Sequence, residues 1–155
     1  MPSVTVIIPT LELATPITDR LVRAIQASSA VARIMFINNV RQDSYSSRYA
    51  DHGKVEVVTH MPNLMVNPAW NYGMSLCDTK YYLLLNDDLV MSGQIIDGIT
   101  KILDARDDLV IWTEKRGEQT LHSVVSRSAY LWLGSSLPHS IRLRLVATFQ
   151  DTSVV

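Results

Sequence analysis

The chain has 155 residues, 47% of them hydrophobic, and its 14 Lys and Arg against 15 Asp and Glu leave a formal charge of −1. That length serves one domain with a core large enough to stand without disulfides or structural metal, and the single cysteine, Cys77, excludes a disulfide framework or a thiolate zinc site within one chain. Charged residues at 19%, with neither sign in excess, exclude a disordered charged tail and a wholly basic nucleic-acid binder.

Val4-Thr5-Val6-Ile7-Ile8 is a nearly continuous apolar run closed by Pro9, the pattern of a strand covered on both faces. A helix follows, with Thr15 as N-cap, Pro16 at the first helical position, and Ile17, Leu21, Ala24 and Ile25 on one face. Ile34-Met35-Phe36-Ile37 is a second buried strand, ending at the polar pair Asn38-Asn39. Val55 to Val58 is a third, after the turn Asp51-His52-Gly53. Trp70 to Leu76 reads as helix, weakened by Gly73. Tyr81 to Leu85 is the strongest strand signal and stops at Asn86-Asp87-Asp88. Ser92 caps a helix whose apolar face is Ile95, Ile96, Ile99, Ile102 and Leu103, and Leu109-Val110-Ile111-Trp112 is one more strand. Beyond Thr113 the pattern blurs. Strands alternating with helices predict an α/β fold with a Rossmann-like, mostly parallel sheet flanked by helices. No apolar run is long enough to span a bilayer, and Met1-Pro2-Ser3 lacks the basic start of a signal peptide, so the expected location is the cytoplasm.

In open α/β sheets, ligands bind outside the carboxyl ends of the strands. Pro9-Thr10, Asn38-Asn39 and Asn86-Asp87-Asp88 each follow a strand, so all three fall on one edge. The adjacent carboxylates of Asp87 and Asp88 repel and need a counter-charge, a cation or full solvation. A polar turn meets that need by solvation. At a ligand-binding edge, the same hard oxygens suit Mg2+ or Mn2+ bridging to a diphosphate. Other familiar chemistry is missing: no G-x-G-x-x-G follows the first strand, and there is no P-loop, H-E-x-x-H or G-x-S-x-G. His52, His60, His122 and His139 are scattered and read as solvated or core side chains, and Cys77 reads as a small buried hydrophobe.

Four segments in order resemble the family 2 glycosyltransferases of the GT-A fold, in particular their rhamnosyltransferase-like branch. Val4 to Thr10 is similar to the family's opening strand and nucleotide loop, and Phe36-Ile37-Asn38-Asn39 stands where the family has a strand ending in Asp-Asn. Asn63-Leu64-Met65-Val66, followed by Asn71-Tyr72-Gly73, resembles its Asn-Leu-Gly-Phe stretch and Asn-x-Gly; Leu84-Leu85-Asn86-Asp87-Asp88 resembles its D-x-D motif. The resemblance implies a nucleotide-sugar-binding half over residues 1–113 and an acceptor-side half over 114–155, shortened relative to the family. It further implies an inverting transfer from a nucleoside-diphosphate sugar to an acceptor hydroxyl. Pro9, Thr10, Asn38, Asn39, Asn71, Asn86 and Asp87 would line the donor nucleotide, and Asp88 would hold Mn2+ or Mg2+. Asn71 is equally suited to satisfying backbone in a loop.

On the acceptor side, Ser123 to Gly134 resembles the family's strand and following helix, with Trp132 and Arg127 as acceptor contacts. Core packing competes for Trp132, as it does for Trp70 and Trp112. The family's catalytic base is an Asp; no acid lies between Glu118 and Asp151, so Asp151 is either that base or a terminal residue without a role. Arg127, Arg142 and Arg144 stand in a stretch free of acids, which leaves a glycan, a lipid-linked phosphate or a modified nucleic acid open as acceptor. Asn38 and Asn86 each replace a family Asp, which keeps a nucleotide-sugar-binding domain without catalysis as the alternative. A nucleotidyltransferase shares the architecture but needs a glycine-rich basic loop where this chain has Thr10-Leu11-Glu12-Leu13. The apolar end of the chain admits a homo-oligomer that completes the site.

Overall fold

The computed structural model of the chain describes residues 1–11, 15–40, 49, 51–59, 62–89 and 91–105, and the backbone of 111–116 and 119–126. The elements are β1 (Val4–Thr10), α1 (Pro16–Gln26), β2 (Val31–Asn38), β3 (Val55–Thr59), α2 (Val66–Ser75), β4 (Tyr81–Leu85), α3 (Gly93–Ala105), β5 (Ile111–Arg116) and β6 (Gln119–Ser126). They build one sheet in the order β3-β2-β1-β4-β6-β5. The first four strands run parallel, whereas β6 lies antiparallel to β4 and β5 antiparallel to β6. The predicted α/β architecture with a mostly parallel, helix-flanked sheet is therefore the one observed.

Side-chain alternation along the strands divides the core in two. Val4, Val6 and Ile8 of β1, Ile34 and Phe36 of β2, and Tyr81, Leu83 and Leu85 of β4 point to one face, where Leu21, Val22 and Ile25 of α1 and Ile96, Ile99 and Leu103 of α3 cover them. Ile7, Met35, Ile37, Tyr82 and Leu84 point to the other, beneath Ala69 and Met74 of α2. Burial on both faces is what a continuous apolar strand encodes, and every residue of β1 and β4 is buried.

The helices refine the sequence reading. Thr15 caps α1, its hydroxyl accepting from Thr18 N while Thr18 Oγ1 accepts from Thr15 N, a reciprocal capping box with Thr in place of Glu. The buried face of α1 is Thr18, Leu21, Val22 and Ile25, whereas Ile17 is exposed. Ser92 caps α3 by accepting from Gln94 N at 3.3 Å. Ile95 and Ile102, expected on the buried face of α3, lie outside it and are exposed. α2 starts at Val66, four residues before the expected Trp70, because Pro68 sits in the first turn, where its missing N–H costs no helical bond. Gly73 has a packing reason: a Cβ there would lie 2.5 Å from Ile7 Cγ2, so only glycine lets α2 settle on β1.

Candidate functional site

The chain moves outward from β1 to β2 and β3, then crosses back to place β4 on the other side of β1. The reversal puts a switch point between β1 and β4, and the crevice at its carboxyl end is where this architecture receives ligands. β1 pairs with β2 as far as Thr10↔Asn38 but with β4 only from Val4↔Tyr81 to Ile7↔Leu84. Pro9, with no N–H to donate to a ladder, lies beyond the last of those β4 pairs. The two strands part at that point.

Thr10 and Asp87 meet across the opening. Thr10 Oγ1 donates to Asp87 Oδ2 at 2.7 Å, although 77 positions separate the residues in the chain. Asn39 N donates to the Thr10 carbonyl at 3.0 Å, tying the ends of β1 and β2 together. Thr10 is buried, Asn86 and Asp87 are half-buried, and Asp88 is exposed on the turn after β4. Trp70 braces the same strand end, its indole N–H donating to the Leu85 carbonyl at 3.2 Å while the ring packs on the second core cluster. Trp70 thus packs on the core and braces the end of β4.

Asn38 is only 1% exposed and bonded on both sides of its amide: Nδ2 donates to Thr59 Oγ1 and Oδ1 accepts from Val40 N, each at 3.3 Å. The amide donates to one of these partners and accepts from the other, which a carboxylate, an acceptor only when ionised, could not do. Asn39 Oδ1 accepts from Leu64 N at 3.1 Å and so fastens the loop before α2 to the end of β2. In that loop Asn63 Oδ1 accepts from Met65 N at 2.7 Å, and Met65 adopts φ 61°, ψ −175°, a region that only glycine enters without strain. Met65 stands where the resembled motif has its glycine; the substitution was visible in the sequence, but its backbone conformation was not. Thr59, Leu64 and the Leu85 carbonyl were not anticipated, since each contributes through a partner distant in sequence.

The structure therefore brings Pro9, Thr10, Asn38, Asn39, Asn86, Asp87 and Asp88 to one edge. Asn71 lies within α2, half-buried. Asp151, Trp132 and Arg127 lie outside the described residues. Among those described, no group of three His, Cys, Asp or Glu side chains converges to hold a metal. Asp87 and Asp88 side by side fit a hard cation that takes one or two carboxylates from the protein and the rest of its shell from phosphate and water, as Mg2+ does. They do not fit an all-protein cage. His52 sits at the opposite edge, bonded to Gln26 and edge-on to Tyr49. Burial pushes the Cys77 thiol up, against opposing hydrogen bonds from Arg33 and Thr5, so Cys77 is held as a thiol. No helix among the described residues is long and apolar enough to cross a membrane.

No family model matches the chain, and no curated protein matches it. Solved structures do. A mannosyltransferase from Pyrobaculum calidifontis, in complex with GDP-mannose and Mn2+, superposes with a TM-score of 0.72 at 16% identity, covering 89% of this chain and 48% of its own. Glucosyl-3-phosphoglycerate synthase from Mycobacterium tuberculosis, with Mn2+, UDP and glucosyl-3-phosphoglycerate, gives 0.68 at 14% identity over 94% of this chain and 64% of its own. A cytidylyltransferase from Leptospira borgpetersenii gives 0.66 at 12% identity, covering 93% and 68%. The chain spans about half the length of the mannosyltransferase. At these identities the shared property is the fold, which is that of GT-A glycosyltransferases and nucleotidyltransferases.

Proposed function

We propose that the chain binds a nucleoside-diphosphate sugar at the carboxyl edge of β1, β2 and β4 and transfers the sugar to an acceptor hydroxyl with inversion. The observation that carries this reading is the convergence of Thr10, Asn38 and the Asp87–Asp88 pair at the β1/β4 switch point. The two glycosyltransferases of like fold, whose structures hold GDP-mannose or UDP together with Mn2+, support it.

In this reading Asn39, Asn71 and Asn86 contact the base and ribose, the buried Asn38 shapes that wall from behind through its bonds to Thr59 and Val40, and Asp88 is the residue that would hold Mn2+ or Mg2+. A cation held there would supply positive charge against the diphosphate as it departs. The protein orients the donor so that the acceptor oxygen attacks the anomeric carbon in line. The C1–O bond to the diphosphate breaks as the new glycosidic bond forms, and a carboxylate takes the acceptor's proton. Asp151 as that base, Trp132 and Arg127 as acceptor contacts, and the rhamnosyltransferase-like branch all rest on the sequence resemblance.

A second reading, binding without transfer, is favoured by Asn38 and Asn86 in the places of two acids. A nucleotidyltransferase remains the third, on the fold of the cytidylyltransferase. Titration calorimetry against UDP, dTDP and GDP with and without Mn2+, on wild type and Asp88→Ala, tests the donor site. Cation-dependent binding of one nucleotide, lost in Asp88→Ala, is the expected result; no binding to any refutes it. Release of nucleoside diphosphate from the sugar donor then separates transfer from binding alone.

A further inference from the structure

We infer that Thr10 is a positioning residue of the donor site, acting through Asp87 rather than on the nucleotide itself. This rests on the donor-site reading above and deepens it. The β1–β4 ladder ends at Ile7↔Leu84, one pair before β4 itself ends, while β1 continues with β2 for three more residues. β6 holds β4 to its last residue, Leu85↔His122, but on the β1 side the turn that bears Asp87 and Asp88 leaves β4 where the ladder has already ended. The Thr10–Asp87 hydrogen bond crosses that gap at 2.7 Å.

The donor end of this strut is rigid. Thr10 is 3% exposed, its backbone carbonyl accepts from Asn39 N, and it is in register with Asn38 on β2. The acceptor end is a half-buried side chain on a turn. A hydrogen bond between a fixed hydroxyl and a carboxylate on a turn orders the turn, and the next residue in that turn is Asp88. Thr10 has one hydroxyl proton, and Asp87 Oδ2 receives it at one of the carboxylate's roughly four acceptor sites, so the carboxylates of Asp87 and Asp88 keep sites for a cation or a ribose.

The test compares Mn2+-dependent affinity for whichever of UDP, GDP and dTDP the wild-type protein binds. Thr10→Val removes the donated proton and keeps the shape. Its affinity is expected to fall about tenfold, as for loss of a hydrogen bond to a carboxylate. Thr10→Ser keeps the proton and is expected to stay within about threefold of wild type. The double variant Thr10→Val/Asp87→Ala is expected to bind no more weakly than Asp87→Ala alone, because the two residues act as one unit. Should Thr10→Val not fold, Thr10→Ala replaces it with the same expected loss. Additive losses in the double variant overturn the inference by placing Thr10 on the ligand. Wild-type affinity in Thr10→Val, with binding still lost in Asp88→Ala, overturns it while the donor site stands. Absence of nucleotide binding in the wild type overturns both.

Discussion

Replacing Gly73 by Ala and Gly98 by Ala makes the same chemical change in two helices, and the structure gives the two substitutions different outcomes. A Cβ at Gly98, on α3, meets nothing within 4 Å, so the substitution keeps only the helix-propensity gain, about 0.8–1 kcal/mol. A Cβ at Gly73, on α2, falls 2.5 Å from Ile7 Cγ2, about 1 Å inside the usual carbon–carbon separation. Ile7 is fully buried and β-branched, so its methyl has little room to turn away, and α2 must lift from β1. Overpacking of this kind costs about 1–3 kcal/mol, set against the same propensity gain. Propensity cancels between the variants, so Gly98→Ala should exceed Gly73→Ala in unfolding free energy by about 1–3 kcal/mol, or roughly 2–12 °C in Tm for a chain of this size. Urea unfolding with a shared m-value measures the gap directly. Equal stabilities, within about 0.5 kcal/mol, would falsify the close α2–β1 packing from which the position of Asn71 follows.

Met65→Gly relieves a backbone strain of about 1–3 kcal/mol at the cost of a more flexible unfolded chain, and should stabilise the protein by about 0.5–2 kcal/mol in urea melts. Burial works to raise Asp97, but hydrogen bonds from Ser28 Oγ, Ala30 N and Ser29 hold its carboxyl below the usual carboxylate range. That stabilisation is present above about pH 4 and lost as the pH falls through the depressed folded value. Asp97→Asn should therefore melt below wild type at pH 7, and the gap should close on acidification; a gap that widens contradicts this. Trp70→Phe leaves the Leu85 carbonyl without the indole donor and should cost about 1 kcal/mol in thermal melts.

Local physics made much of the fold legible. β4 begins and ends where expected because an unbroken apolar run is bounded by Lys80 and Asn86, and α1 begins where Thr15 and Pro16 announce it. Other readings slipped besides the exposed Ile17 of α1. The start of α2 was hidden by Pro68, which reads as a breaker unless its place in the first turn is known. Ile95 and Ile102 match helical periodicity, yet α3 buries only the narrower stripe of Ile96, Ile99 and Leu103 among its isoleucines and leucine. β5 was expected over Leu109 to Trp112, and the described strand runs from Ile111 to Arg116, past the apolar run into charged residues.

The edge that gathers Thr10, Asn38 and Asp87 followed from strand ends alone. The contacts within it did not. The Thr10–Asp87 bond, the Asn38–Thr59 pair and the Asn39–Leu64 staple join residues from different βα units, and nothing in a local pattern encodes which strands will be neighbours.

The most direct test of a donor site at the β1/β4 switch point is paramagnetic broadening of backbone amide resonances by Mn2+ in the presence of a nucleoside diphosphate. The broadening should centre on residues 86–88, reach Thr10 and Asn38–Asn39, and vanish in Asp88→Ala. Broadening that centres on the amino edge near His52, or that persists unchanged in Asp88→Ala, contradicts the account.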